Sequence, residues 1–412
     1  MSTITTRFID ISPLTESADF RRLWIGTTFQ SFGAKFTSLA VLYQVWELTH
    51  DPIWTGFISL TTALPAIVFG LSGGAFADAI DRRAIVLWTT AGAMVISLML
   101  AAQVALGLNS LPLLFVLAAL QSAFVSFGRP ARKTFIARLL PAHQIAAGVS
   151  LTHSSFQASL LVGPAIAGLV IGGWGVTTCY ALEAVAFCAA FCGVMGLPRM
   201  QPSRVNAQWG IGAIIEGLQF VRAQPLLSGS LLSDLAVTLL AMPIALFPAI
   251  NQEKFGGSPE TLGLFLSAIA VGGVSASIFS GWLTCRTDIG RIQLMAAACW
   301  GGALLGAGLT GELWSILAFL AIAGAADTIA VIARGTLLQI ATPDKYRGRL
   351  NAVELVAGLA GPELGNFRAG LMTIYFSPLA VLAVGGLSSI VAVSAIANRS
   401  PELWRFSTER SD

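Results

Sequence analysis

Charged residues are missing from long stretches of this chain. No Asp, Glu, Lys or Arg occurs in 54–77, 84–128, 235–252, 261–285, 292–311 or 369–398, and Glu183 is the only charge in 139–198. About 20 apolar residues are what a helix needs to cross the hydrocarbon core of a bilayer. Transmembrane strands would instead read as alternating segments of about 10 residues. The runs here are continuous and longer, so they predict helices. Two of them are long enough for two spans each, and turn signals divide them. Gly107-Leu108-Asn109-Ser110-Leu111-Pro112 splits the first, and Gly172-Gly173-Trp174-Gly175 splits the second. The pattern predicts twelve helices, near 23–47, 54–77, 84–106, 111–128, 149–172, 176–197, 226–250, 260–283, 292–310, 314–334, 352–373 and 377–397.

Composition agrees with this reading. The 412 residues are 55% hydrophobic and 11% charged, with a mean hydropathy of +0.76. Soluble chains carry about 25% charged residues. A soluble enzyme, a nucleic-acid binder and a disordered scaffold are therefore excluded, and an all-α integral membrane protein in a lipid bilayer is expected. The net charge of +3 points to no anionic partner. Cys179, Cys188, Cys192, Cys285 and Cys299 lack metal-ligand spacing, and His50, His143 and His153 are isolated. No cofactor and no metal are expected. The first 19 residues contain Arg7, Asp10, Glu16 and Asp19 without an apolar core, unlike a cleavable signal peptide.

The cations give an orientation. Of the 24 Lys and Arg residues, all but Lys35, Lys254 and Arg368 fall in the tails or in alternate connections of the twelve-helix reading. Cytoplasmic loops are enriched in Lys and Arg. Both termini are thus expected in the cytoplasm, and a miscounted span would scramble the bias.

The chain also repeats itself. Arg132 and Pro141 recur 202 residues later as Arg334 and Pro343, and the same shift carries Gly163 to Gly365 and Gly168 to Gly370. A looser match joins Gly74 to Gly281. The predicted organisation is a cytoplasmic tail (1–22), a six-helix bundle (23–197), a cytoplasmic linker (198–225), a second six-helix bundle (226–397) and a cytoplasmic tail (398–412). Parallel repeats of this kind build transporters in which two bundles rock about a midplane site.

The connection after the second helix reads Gly74-Ala75-Phe76-Ala77-Asp78-Ala79-Ile80-Asp81-Arg82-Arg83. It resembles the G-x-L-A-D-x-x-G-R-R/K signature of the major facilitator superfamily at Gly74, Asp78, Arg82 and Arg83. Asp81 replaces a glycine, as in exporters of that superfamily. The resemblance implies a cytoplasmic gate in which Asp78 meets the eleventh helix; the alternative is a solvated turn with basic topology signals. The second-half copy, 281–291, has Cys285 in place of the acid, which puts a second gate in doubt. Gly163-Pro164-Ala165-Ile166-Ala167-Gly168 resembles the Gly-Pro motif of exporters in the fifth helix, although Gly and Pro are frequent in membrane helices generally. Three stretches (19–24, 216–222 and 324–349) resemble the enterobactin (siderophore) exporter subfamily, which is related to macrolide efflux pumps. That resemblance implies a bacterial inner-membrane exporter, monomeric, driven by the proton motive force and carrying a siderophore or similar amphipathic small molecule. Broad drug or macrolide efflux is the alternative.

Ionisable residues inside spans are costly and are functional candidates by default. Lys35, Asp234, Asp327, Glu363 and Arg368 qualify, with Gln121 as a weaker polar candidate. By resemblance, the first, fourth, seventh and tenth helices line the central cavity. Asp234 or Asp327 is then expected to take up the coupling proton, and Lys35 to attract an anionic substrate or pair with an acid. Static interhelical salt bridges, or a contact of Asp327 with Arg334, are the competing readings. Glu183 ranks lower, because the sixth helix is expected at the periphery. An ATP-driven pump would need a Gly-Lys phosphate loop, and the chain has no Gly-Lys dipeptide. A membrane enzyme would need a His/Asp/Glu cluster at one face, and no such cluster is evident. A receptor or scaffold on a decayed transporter fold is the remaining rival.

Overall fold

The computed structural model describes residues 10–77, 80–201, 211–281 and 286–407. Every regular element among them is helical. We label the main helices α1 (Ala18–Thr49), α2 (Pro52–Ala77), α3 (Arg82–Ala105), α4 (Leu111–Lys133), α5 (Ile145–Trp174), α6 (Val176–Met195), α7 (Ile211–Arg222), α8 (Pro225–Ala241), α9 (Phe247–Phe255), α10 (Pro259–Ile278), α11 (Ile289–Leu309), α12 (Leu313–Ala341), α13 (Asp344–Met372) and α14 (Pro378–Arg399). Ten segments among the described residues are long and apolar enough to cross a membrane, one of them formed by α8 and α9 together. The longer α1 and α13 are less apolar along their length and do not join that set. Large apolar side chains stay exposed, Trp88 and Trp314 at 79% each. A bilayer, rather than water, suits such a surface.

The predicted breaks appear where local chemistry demands them. After α3, Gly107 takes a φ of 63°, and Ser110 caps α4 by accepting from the Leu113 N–H with Pro112 in the first turn. Several helices outrun their apolar stretches: α4 continues to Lys133, α12 to Ala341, and α13 begins at Asp344. Backbone hydrogen bonding ignores the charge of exposed side chains, so the apolar run measures the span and not the helix. The predicted linker contains a helix as well. Its helix α7 is fixed to α13 by the Glu216–Arg349 ion pair at 2.8 Å and by Phe220 stacked on Tyr346 at 4.1 Å.

The seventh predicted helix, near 226–250, is not continuous. α8 stops at Ala241, Met242 is extended, and Pro243 leads into a short turn before α9. Proline lacks an N–H and drives the preceding residue out of helical geometry. The freed groups find partners. Ala245 N–H donates to Asn366 Oδ1 at 3.2 Å, and its carbonyl accepts from Thr55 Oγ1 at 2.7 Å.

Chain contacts divide the molecule into two compact units. Among the described residues, the first holds those up to Ala40 and those from Val68 to Gln201. The second holds Val41–Ile67 and everything from Ile211 onward. In the first unit α3 packs on α4 and α6. In the second α11 packs on α12 and α14, and α10 on α12.

Candidate functional site

Two polar clusters stand inside these apolar helices, one in each unit. The second unit holds the ionic one. Arg334 on α12 is 9% exposed and pairs with Asp234 on α8. Its Nε lies 3.5 Å from Glu354 Oε1 on α13. Asp327 sits midway along α12, two turns before Arg334, and its side chain stays accessible. Asp234, Asp327, Arg334, Ser233, Gln293 and Trp300 border a cavity with room for the centre of one water molecule, about 10 Å³. Trp300 Nε1 is buried there without a protein partner. Gln293 ties α11 to α8, accepting from Ser230 Oγ at 2.8 Å and donating to Ser233 Oγ at 3.0 Å. The expected acids Asp234 and Asp327 thus come together, with Arg334 as the cation, and Glu354 completes a cluster of three acids and one base.

The first unit holds the neutral cluster. Glu183 on α6 is 3% exposed. Its Oε2 accepts from Thr37 Oγ1 at 2.5 Å, Ser97 Oγ at 2.8 Å and Gln121 Nε2 at 3.0 Å. Gln121 Nε2 also reaches Ser97 Oγ at 2.9 Å. Helices α1, α3, α4 and α6 therefore meet at one carboxyl group. Gly33 permits the approach, since a Cβ there would lie 2.8 Å from Ala186 Cβ and 3.2 Å from Glu183 Cα. The sixth helix is expected at the periphery, and from it the Glu183 side chain is buried against α1, α3 and α4. What could have found it was depth: Ser97, Gln121 and Glu183 each interrupt an otherwise apolar stretch far from its ends.

The other candidates are dispersed. Lys35 points toward α5, with Nζ 5.7 Å from the Phe156 ring centroid. Its stem lies against Gly163, where an added Cβ would come within 2.8 Å of Lys35 Cβ. Gly163, Pro164 and Gly168 are all buried in α5, and Gly163 makes room for the α5–α1 contact. Glu363 Oε2 accepts from Asn366 Nδ2 at 3.5 Å. Arg368 donates to the Leu240 carbonyl at the end of α8 and reaches the Leu239 carbonyl at 3.5 Å. It holds the carbonyls left over where α8 stops.

In the gate motif, Asp78 lies outside the described residues, as do the surroundings of Gly74. Asp81 caps α3, accepting from Arg83 N–H and from Met200 N–H at 3.0 Å each. Arg82 N–H donates to the Met200 carbonyl at 3.1 Å. Arg83 donates to the Val194 carbonyl at 3.4 Å and to that of Met195. These three residues thus fasten the α2–α3 connection to the end of α6. Cys285, in the degraded second copy, also lies outside the described residues.

The family profile of the transmembrane secretion effectors matches residues 9–406. The chain belongs to this family of the major facilitator superfamily. Members are transporters, not enzymes. The chain is similar to the enterobactin exporter of Shigella flexneri, 24% identical over 97% of this chain and 95% of that protein. The enterobactin exporter of Escherichia coli O6:H1 (strain CFT073) matches to the same extent. Solved structures share the fold. A bacterial homologue of the iron transporter ferroportin, in an inward-facing state, superposes with a TM-score of 0.71 at 17% identity, covering 92% of this chain and 99% of that one. The nucleoside transporter NupG gives 0.73 at 12% identity, covering 94% and 100%.

Proposed function

We propose that this transporter exports a siderophore or similar amphipathic small molecule across the bacterial inner membrane, driven by the proton motive force through alternating access. The observation that carries the reading is Asp327, accessible at the middle of a 29-residue apolar helix, beside the Asp234–Arg334 pair and a water-sized cavity. A carboxylate in a span is retained at a cost, and proton relays are a main reason for keeping one. Asp234 and Glu354 share one guanidinium and Asp327 stands beside the pair, so protonating one acid changes the hold on Arg334. Similarity to enterobactin exporters over nearly the whole chain supports the direction and substrate class.

We further propose twelve spans in two six-helix halves, with both termini cytoplasmic. α1 and α13 supply the two spans beyond the ten apolar ones. Their charges crowd the first turns: Asp19, Arg21 and Arg22 in α1, and Asp344, Lys345, Arg347 and Arg349 in α13. The repeat has a packing counterpart. Gly163 of α5 lies against α1, while Gly365 of α13 would place a Cβ 1.9 Å from the Thr238 carbonyl oxygen of α8.

The test is export itself. A deletion strain compared with its parent should secrete less siderophore and keep its drug resistance. Lower resistance with unchanged secretion would favour drug efflux. Inverted membrane vesicles should accumulate enterobactin when the lumen is acid, and Asp327→Asn should abolish that accumulation.

A further inference from the structure

We infer that Glu183 is a proton-binding group of the first unit, whose Thr37 bond conveys its charge state to α1. The inference rests on the proton-driven export proposed above and adds a site to it. A buried carboxylate is costly as an ion unless paired with a cation or supplied with hydrogen bonds. Among the described residues Glu183 has no cation partner. It has instead three neutral donors, all on Oε2. Burial without a countercharge favours the protonated acid, and three donors favour the anion. The two effects oppose each other, as they must in a group that both binds and releases a proton. With the three bonds on Oε2, Oε1 is the oxygen left to carry the proton.

The surroundings contain little that would hold Glu183 in one form. α1 contributes Thr37 and Gly33, while its cation Lys35 turns to Phe156. Arg22 of α1 lies beside Gly193 and Gly196, beyond the node. α3 contributes Ser97, its Arg83 being held at Val194 and Met195. α4 contributes Gln121, and its Arg132 is bound to Thr90 Oγ1 at 3.0 Å. From α5 comes the Ala167 carbonyl, which accepts from Cys179 Sγ at 3.7 Å. On α6 itself the buried Tyr180 and Cys179, one turn away, are the titratable neighbours, and neither is a cation. Loss of the Glu183 charge weakens the 2.5 Å bond from Thr37, because hydrogen bonds to an ionised acceptor are the stronger ones. The hold of α6 on α1 then varies with the proton.

The measurement is a pH titration of the reconstituted full-length protein by infrared difference spectroscopy. Wild type should show a carboxyl C=O band that disappears as the pH is raised. Glu183→Gln should lack that band, and Asp327→Asn should retain it. Glu183→Asp should shift the band rather than remove it, and this variant carries the test if the Gln variant does not fold. A titration in which neither substitution alters any carboxyl band overturns the inference. The functional arm uses enterobactin in inverted vesicles. Glu183→Gln should lower accumulation driven by a pH gradient about tenfold, the size of an ordinary coupling between two sites. Full accumulation by Glu183→Gln beside an active wild type would also overturn it. Wild-type vesicles that fail to accumulate enterobactin count against the export reading and leave the infrared result to decide Glu183.

Discussion

The two polar clusters solve one problem by different means. In the second unit, charge is balanced by charge: Arg334 stands among Asp234, Glu354 and Asp327. In the first unit, a single carboxyl group is balanced by neutral donors from three other helices. Removing a partner therefore has unequal consequences. A lost cation leaves several anions facing one another, whereas a lost hydroxyl or amide leaves the carboxyl group with its remaining donors. The ionic cluster resists conservative change and reports on net charge. The neutral cluster tolerates single changes and reports on protonation. Among the described residues the second unit shows no copy of the neutral cluster: where α14 meets α8 and α11, Gly385 lies against the Leu240 carbonyl oxygen and Gly386 against that of Gly301. Close backbone packing occupies a crossing that in the first unit would accommodate a carboxyl side chain. The halves that the repeat predicts have thus diverged in their chemistry.

Arg334→Leu should break the comparison most strongly. Three acids would remain around a small cavity with no cation, and breaking a buried ion pair from one side costs about 3–5 kcal/mol. The variant should express poorly, unfold at a clearly lower temperature in detergent and lose export. Pairing it with Asp234→Asn should recover part of the thermal stability without restoring export. A single Arg334→Leu protein with wild-type melting and transport would show that the ionic cluster is not held together by charge.

Gly33→Leu should come next. The new side chain would enter the space of Ala186 Cβ and the Glu183 backbone. Overpacking a tight contact costs about 1–3 kcal/mol, and here it would also part α1 from the Glu183 node. The expected result is a lower melting temperature together with a Glu183 infrared band that persists to higher pH, because the Thr37 donor to the anion is withdrawn. Gly70→Leu, at a position where an added Cβ meets nothing within 4 Å, should leave both unchanged.

The uneven legibility of the two clusters has a physical reason. Asp234 and Asp327 could be read from the chain because a formal charge within an apolar run stands out, whereas Arg334 was counted with a basic connection and joins them because α12 continues to Ala341. The helices, their turns at Gly107 and Gly175, and the membrane setting followed from apolar length and backbone chemistry. Thr37, Ser97 and Gln121 carry no charge, so only their convergence in space gives them meaning. Glu183 was visible as a charge, but the donors that surround it were not. The break at Met242–Pro243 was masked for a similar reason. Its apolar residues extend the run, and the partners that satisfy the broken backbone, Thr55 and Asn366, lie far away in sequence.

Gln121→Leu sharpens the comparison with the smallest effect. The substitution removes one of three donors to Glu183 and a bond to Ser97, and it replaces an amide whose Oε1 is already buried without a partner. Neutral hydrogen bonds contribute about 1 kcal/mol net. Deleting a group whose carbonyl oxygen is unsatisfied returns part of that. Stability should therefore fall by about 0.5 kcal/mol or less, within reach of a careful thermal unfolding series. The anion, in contrast, loses a donor that the protonated acid needs less. The infrared band of Glu183 should then persist to higher pH than in wild type, and pH-driven accumulation should shift in the same direction. A large loss of stability with no shift of the band would mean that Gln121 holds the helices together rather than tuning the carboxyl group.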